Sequence, residues 1–128
     1  MPRIVLQVVA GEFAVCRLPA AEPVPAWAGS AVFSSVTRTA DELSVICPAA
    51  QVPAGVKHEG GWRLFRFQGP LAFTETGILA AVLAPLAAAK IGILATATFD
   101  TDYLLVPAGQ FDGAQRVLQA AGHTIKPA

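Results

Sequence analysis

Apolar positions along this chain recur with two periods, and each change of period marks an element. Ile4 to Val9 and Phe13 to Leu18 are rich in Val, Ile and Leu and predict strands. Gly11-Glu12 between them reads as a hairpin turn or a bulge. Pro19 to Pro25 is a proline-punctuated connection. Val24 to Ala28 has room for one helical turn, which Gly29 stops. Val32 to Thr37 and Leu43 to Cys47 predict two strands about the turn Arg38-Thr39-Ala40-Asp41. Ala49 to Val52 is a single turn before Pro53, and Gly55, Gly60 and Gly61 mark a loosely structured connection. Trp62 to Phe67 alternates, with Trp62, Leu64 and Arg66 on one face and Arg63, Phe65 and Phe67 on the other.

Past Gly69-Pro70 the period changes. Leu79, Val82, Leu83 and Leu86 recur at i, i+3, i+4 and i+7, which predicts a helix with one core-facing stripe. Thr74 or Thr76 is expected to cap it. Pro85 removes the hydrogen bond to the Ala81 carbonyl and is expected to bend it. Ile91 to Thr98 predicts a strand with Ile91, Ile93, Ala95 and Ala97 on one face, and Tyr103 to Val106 the next. Phe111, Ala114, Val117, Leu118 and Ala121 form a second helical stripe, Gly122 is a natural residue to end that helix, and His123 to Lys126 is a last short strand. The second half therefore reads β, α, β, β, α, β. Two right-handed crossovers in that order place both helices on one face of an antiparallel sheet, a ferredoxin-like α+β arrangement.

The first half reads as a reduced copy of the second. Thr37 aligns with Thr98 (98 − 37 = 61), and Asp41 with Asp102, Leu43 with Leu104 and Val45 with Val106 share that offset. A strand ending in proline precedes each copy. The expected organisation is a mostly β repeat over 1–60, its helices shrunk to turns, followed by the full domain over 61–128, with their sheets joined side by side.

Composition narrows the function. Of the 128 residues, 54% are hydrophobic and 14% charged, and the formal net charge is zero. A balanced chain with scattered Lys and Arg lacks the basic face that nucleic acid needs. So apolar a surface at zero charge predicts cover by another subunit. Gly77 to Phe99 is long enough to span a bilayer, but Pro85, the Ala-rich composition and the change of character after Lys90 argue for a buried helix and strand instead. No export signal is read, so the expected location is the cytoplasm. Cys16 and Cys47 lie in strand-like runs, read as buried free thiols with a disulfide left open. With two cysteines and two histidines, His58 and His123, no zinc spacing is present. No nucleophile elbow or phosphate loop occurs either, so no enzymatic activity and no cofactor are expected.

Two polar clusters stand inside the apolar second half: Phe73-Thr74-Glu75-Thr76-Gly77 and Thr98-Phe99-Asp100-Thr101-Asp102. A helix N-terminus offers unsatisfied N–H groups and partial positive charge. Thr76, Gly77 and Ile78 can present them to a carboxylate, and Gly77 permits close approach. Glu75, Asp100 and Asp102 can receive an ammonium or guanidinium. Together these describe a zwitterionic amino acid. Capping by the threonines and turn formation by the aspartates explain the same residues without a ligand.

The run Phe73 to Ala80, then Pro85-Leu86-Ala87, Ile91 to Leu94 and Thr96 to Val106, resembles an ACT domain. More narrowly it resembles ACT domains of the CASTOR type, related to the regulatory domains of aspartate kinases. The likeness covers Trp62 to Ile125, and the first half resembles the degenerate ACT-like copy that precedes it in small bacterial proteins. The resemblance implies a regulatory module that binds a small ligand, usually an amino acid, between ACT units. Carried over, the ligand-binding residues are Phe73, Thr74, Glu75, Thr76, Gly77, Ile78 and Leu79, with Thr98, Phe99, Asp100 and Asp102. The expected partners are an amino acid, a second copy in a homodimer and a regulated protein, with no membrane and no metal. The alternative is an interaction module whose ACT units self-associate without a ligand.

Overall fold

The structure is a computed structural model that describes residues 2–70 and 76–128. Its strands are β1 (Val5–Leu18), β2 (Ser35–Arg38), β3 (Leu43–Pro48), β4 (His58–Phe67), β5 (Leu94–Ala97), β6 (Asp102–Pro107) and β7 (Thr124–Lys126). The helices are α1 (Ile78–Ala88) and α2 (Phe111–Ala120). Two compact units divide the chain: Met1–Ala10 with Arg63–Ala128, and Gly11–Trp62. β1 and β4 are long enough to serve both.

In the larger unit the strands run β7-β1-β4-β6-β5. β5 pairs antiparallel with β6, Leu94 opposite Leu105. β7 lies parallel to β1, Val5 opposite Thr124, so the first strand of the chain sits between β7 and β4. Alternation within 62–126 gives no hint of that insertion. The stripe expected on α1 packs as foreseen: Val82 and Leu86 are fully buried, and Leu79 and Leu83 pack against them. Phe111, Ala114 and Leu118 of α2 join the same core, with Leu6, Phe65, Phe67, Leu104 and Val106 from the strands. Phe65 stacks on Phe111 at 5.3 Å, and the Arg63 guanidinium lies 4.0 Å from the same ring. The strand expected from Ile91 shortens to Leu94–Ala97 at the end of the strand order. Leu94 and Ala95 are exposed, while Ile91 and Ile93 turn into the core before the strand begins.

Both helices close in the same way. Gly122, at φ 96°, lets the N–H groups of Gly122 and His123 reach back to the carbonyls of Gln119 and Leu118. Lys90 does this for α1 at φ 60°, with Lys90 and Ile91 donating to Ala87 and Leu86.

In the smaller unit the order is β2-β3-β1-β4. β1 is one continuous strand through Gly11 (φ 94°), with no hairpin there. Gly60 and Gly61 belong to β4, not to a loose connection. Helices are reduced to 3-10 turns at Ala26–Ala28 and Ala49–Gln51, as expected. The core is small: Ala14, Cys16, Ala28, Val45 and Cys47, with Leu18, Trp27 and Val52 packed on it.

Candidate functional site

The helix start near Gly77 is held from the other side of the larger unit. Pro85 has no N–H for the Ala81 carbonyl four residues back. His123 supplies the missing donor: its Nε2 lies 2.8 Å from the Ala81 carbonyl oxygen. Its Nδ1 accepts the Ile4 N–H at 3.0 Å. With Nδ1 accepting, Nε2 carries the proton, so a neutral imidazole satisfies two backbone groups. The ring is buried, and the motif ending α2 delivers it to that place. His123 was read from sequence only as a strand-start residue. The signal was there, because a proline inside a packed helix leaves a carbonyl that needs a donor.

A chain of bonds then places the start of α1 and the second polar cluster at one end of this unit. His123 joins Ala81, one turn into α1, to Ile4. Beside Ile4, the Val5 carbonyl accepts from Gln68 N–H at 2.8 Å. The neighbouring Phe67 carbonyl accepts from Thr101 Oγ1 at 2.7 Å. Thr101 lies in the second cluster and is buried; its carbonyl also accepts from Thr98 N–H at 2.8 Å. The turn Thr98–Thr101 is thus pinned to the end of β4. At the opposite end of β6, Gln110 accepts from Gly92 N–H (3.3 Å) and donates to the Lys90 carbonyl (3.5 Å), fixing the far end of α1 there.

Thr76 and Gly77 are exposed, and Ile78 and Leu79 half-buried. Gly77, not a threonine, is the residue that begins α1, and among the described residues no side chain caps the helix. That corrects the expectation of a Thr76 cap; Thr74, with Phe73 and Glu75, lies outside the described residues. Gly77 adopts φ 78°, a left-handed conformation that suits glycine. The first helical bond runs from Ala81 N–H to the Gly77 carbonyl, which leaves the N–H groups of Ile78, Leu79 and Ala80 without acceptors within the helix. Among the described residues a Cβ at Gly77 would meet only Pro2 Cγ, at 4.0 Å. In the second cluster Thr98, Phe99 and Asp100 are exposed, Phe99 by 81%, and Asp102 is half-buried at the start of β6.

The cysteines offer no nucleophile. Both are free and buried, with Cys16 opposite Val45 and Cys47 opposite Ala14. Burial pushes the Cys16 thiol up from 9.0 to about 11, and the neighbouring Cys47 adds to the rise. Burial likewise raises Cys47, against a lowering hydrogen bond from Cys16. Thiols so shifted stay protonated and unreactive near neutrality. Among the described residues no helix is long and apolar enough to cross a membrane.

A βαββαβ series carrying both helices, with an all-β relative ahead of it, defines a ferredoxin-like α+β domain with an N-terminal companion. The chain belongs to the ACT domain family, whose profile matches residues 57–120. A separate profile for an N-terminal domain matches residues 11–55. The human and bovine proteins described as cytosolic arginine sensor for mTORC1 subunit 1 are each 44% identical over 59 residues. That stretch is 45% of this chain and only 18% of theirs. A crystal structure from Agrobacterium tumefaciens superposes with a TM-score of 0.95 at 43% identity, covering 100% of this chain and 96% of that one. A Vibrio cholerae protein superposes at 0.70 with 18% identity, covering 92% of this chain and 89% of its own. Aspartokinase III of E. coli, in complex with aspartate and ADP, superposes at 0.63 with 11% identity over 93% of this chain and 33% of its own. At those two identities the likeness is one of fold.

Proposed function

We propose that this protein is a non-enzymatic sensor that binds an amino acid where α1 begins and passes the signal on through its assembly or a regulated partner. The observation that carries this reading is the start of α1, where no side chain among the described residues caps the helix. Exposed Gly77 in a left-handed conformation and three N–H groups without helical acceptors make a seat for a carboxylate. Asp100, on the turn, and Asp102, at the start of β6, supply negative charge for the ligand's amino or side-chain cation. Glu75, Phe73 and Thr74 complete the proposed set. Kinship with the arginine sensors supports an amino acid as ligand and makes L-arginine the first candidate. Thermal unfolding against each proteinogenic amino acid tests the reading. A ligand at about 100 times its Kd adds about 2.7 kcal/mol, a clear rise in midpoint. No rise with any amino acid contradicts it.

A second reading, self-association without a ligand, rests on the edge strand β5. Its Leu94 and the adjoining Phe99 are exposed apolar side chains at the end of the strand order. Sedimentation over a range of concentrations that finds only monomer removes it.

A further inference from the structure

We propose a second small-molecule site, on the unit formed by residues 11–62, for a zwitterion carrying a carboxylate and an ammonium group. One face of that unit's sheet is committed to its core: Ala14, Cys16, Val45 and Cys47 pack there against the 3-10 turns. The opposite face holds a recess of about 180 Å³ lined by Val15, Arg17, Glu42, Ser44, Lys57 and Glu59. Strand register accounts for the grouping. Arg17 is opposite Ser44 across β1 and β3, and its N–H donates to the Lys57 carbonyl at 2.9 Å on the other flank. Val15 and Glu59 line the same recess.

The charges are arranged for a dipolar guest. Arg17 and Lys57 are cationic, Glu42 and Glu59 anionic, and among the described residues no ion pair joins them. Arg17 is held in place by its Nη2 donating to the Asp41 carbonyl at 3.1 Å. His58, at the rim, turns Nδ1 to the Val56 carbonyl at 2.8 Å and keeps Nε2 for a further bond. Val15 gives the recess an apolar wall. The volume is below the ~300–1,000 Å³ of clefts for drug-sized molecules, which selects a guest of amino-acid size over a nucleotide. Charge-assisted bonds at both ends give such a guest its orientation.

The other unit fills the corresponding hairpin position differently. The two hairpins superimpose in sequence at an offset of 59 (94 − 35, from the residues that open each ladder), so Glu42 and Ser44 stand where Thr101 and Tyr103 do. Thr101 is only 4% exposed, and its hydroxyl is committed to the Phe67 carbonyl. In the smaller unit the corresponding position carries a half-buried carboxylate beside an open recess.

The test is residue-resolved amide NMR of the whole protein titrated with pools of the proteinogenic amino acids at millimolar concentration. The proposal expects one pool, then one compound, to shift Arg17, Ser44 and Lys57 saturably. Lys57→Met and Glu59→Gln, both at exposed positions, should each weaken that response about tenfold or more while the rest of the spectrum is retained. Shifts confined to residues around Gly77 and Asp102 overturn this second site and leave the first standing. No saturable shift at Arg17, Ser44 or Lys57 with any pool, or an undiminished response in both variants, overturns it as well.

Discussion

Place Thr39–Gln51 beside Thr98–Gln110 and the same bonds recur. Thr39 N–H meets the Glu42 carbonyl at 2.9 Å, and Thr98 N–H meets the Thr101 carbonyl at 2.8 Å. Each hairpin runs into a proline, Pro48 or Pro107, and then a 3-10 turn ending in glutamine. Each glutamine reaches back to the backbone that precedes its hairpin. Gln51 Nε2 donates to the Trp27 and Gly29 carbonyls at 2.9 and 2.7 Å, and Gln110 holds Lys90 and Gly92. What differs is the element held. In the smaller unit it is the three-residue turn Ala26–Ala28; in the larger it is the end of an 11-residue helix. The two units share a clamp, but only one keeps a helix start with N–H groups to offer. The clamp is therefore independent of the helix it holds.

The largest expected effect falls on the feature found in the larger unit alone. His123→Ala leaves the buried Ala81 carbonyl and Ile4 N–H without their partner and should cost about 2–5 kcal/mol in urea unfolding. Pro85→Ala restores a helical donor for Ala81, so in that background the His123→Ala cost should fall by about 1–2 kcal/mol. Additive losses would show that the imidazole does not replace the missing proline N–H.

Next comes the thiol core of the smaller unit. The folded Cys16 thiol titrates near 11 and the unfolded one near 9, so between those values the folded state retains a proton that the unfolded state releases. Stability from this group is full below pH 9 and falls as pH rises toward 11, by about 2–3 kcal/mol. Cys16→Ala should flatten that slope; an unchanged slope would place the alkaline loss elsewhere. The shared clamp should matter less and alike: Gln51→Ala and Gln110→Ala each cost about 1 kcal/mol, with Gln51 the larger because its bonds are shorter. A loss in one alone breaks the equivalence of the two units. Smallest is Lys90→Gly, which should raise stability by about 0.5–1 kcal/mol by relieving the left-handed backbone at φ 60°. A decrease would show that the lysine side chain contributes more than the strain costs.

Helical period, strand alternation and the shrunken helices of the first half were legible in the chain because each is a local pattern. The repeat was legible too, but two residues out of register: Thr98 corresponds to Thr39 (98 − 39 = 59), not to Thr37. A slip of two keeps every side chain on its face, so apolar alternation cannot detect it. The Pro-Ala-Ala-Gln and Pro-Ala-Gly-Gln segments at 48–51 and 107–110 would have fixed it. The insertion of β1 between β4 and β7 was not legible, since it depends on pairing residues more than a hundred apart. At the proposed site, sequence singled out Gly77 but not its left-handed backbone, which makes a β-branched replacement there a test of folding and not of binding.

The central claim, that the start of α1 seats a carboxylate, is tested most directly by titration calorimetry of L-arginine, or of whichever amino acid raises the thermal midpoint, into wild type and Gly77→Asp. Asp tolerates positive φ better than most residues, and among the described residues a Cβ at Gly77 has only Pro2 Cγ near it, at 4.0 Å. Its carboxylate would bring a negative charge to the start of α1 and repel a ligand carboxylate from it. The account predicts that the binding heat disappears while the ligand-free protein stays folded, its unfolding midpoint lowered only modestly by a side chain at φ 78°. A folded Gly77→Asp protein that binds with wild-type affinity would contradict it.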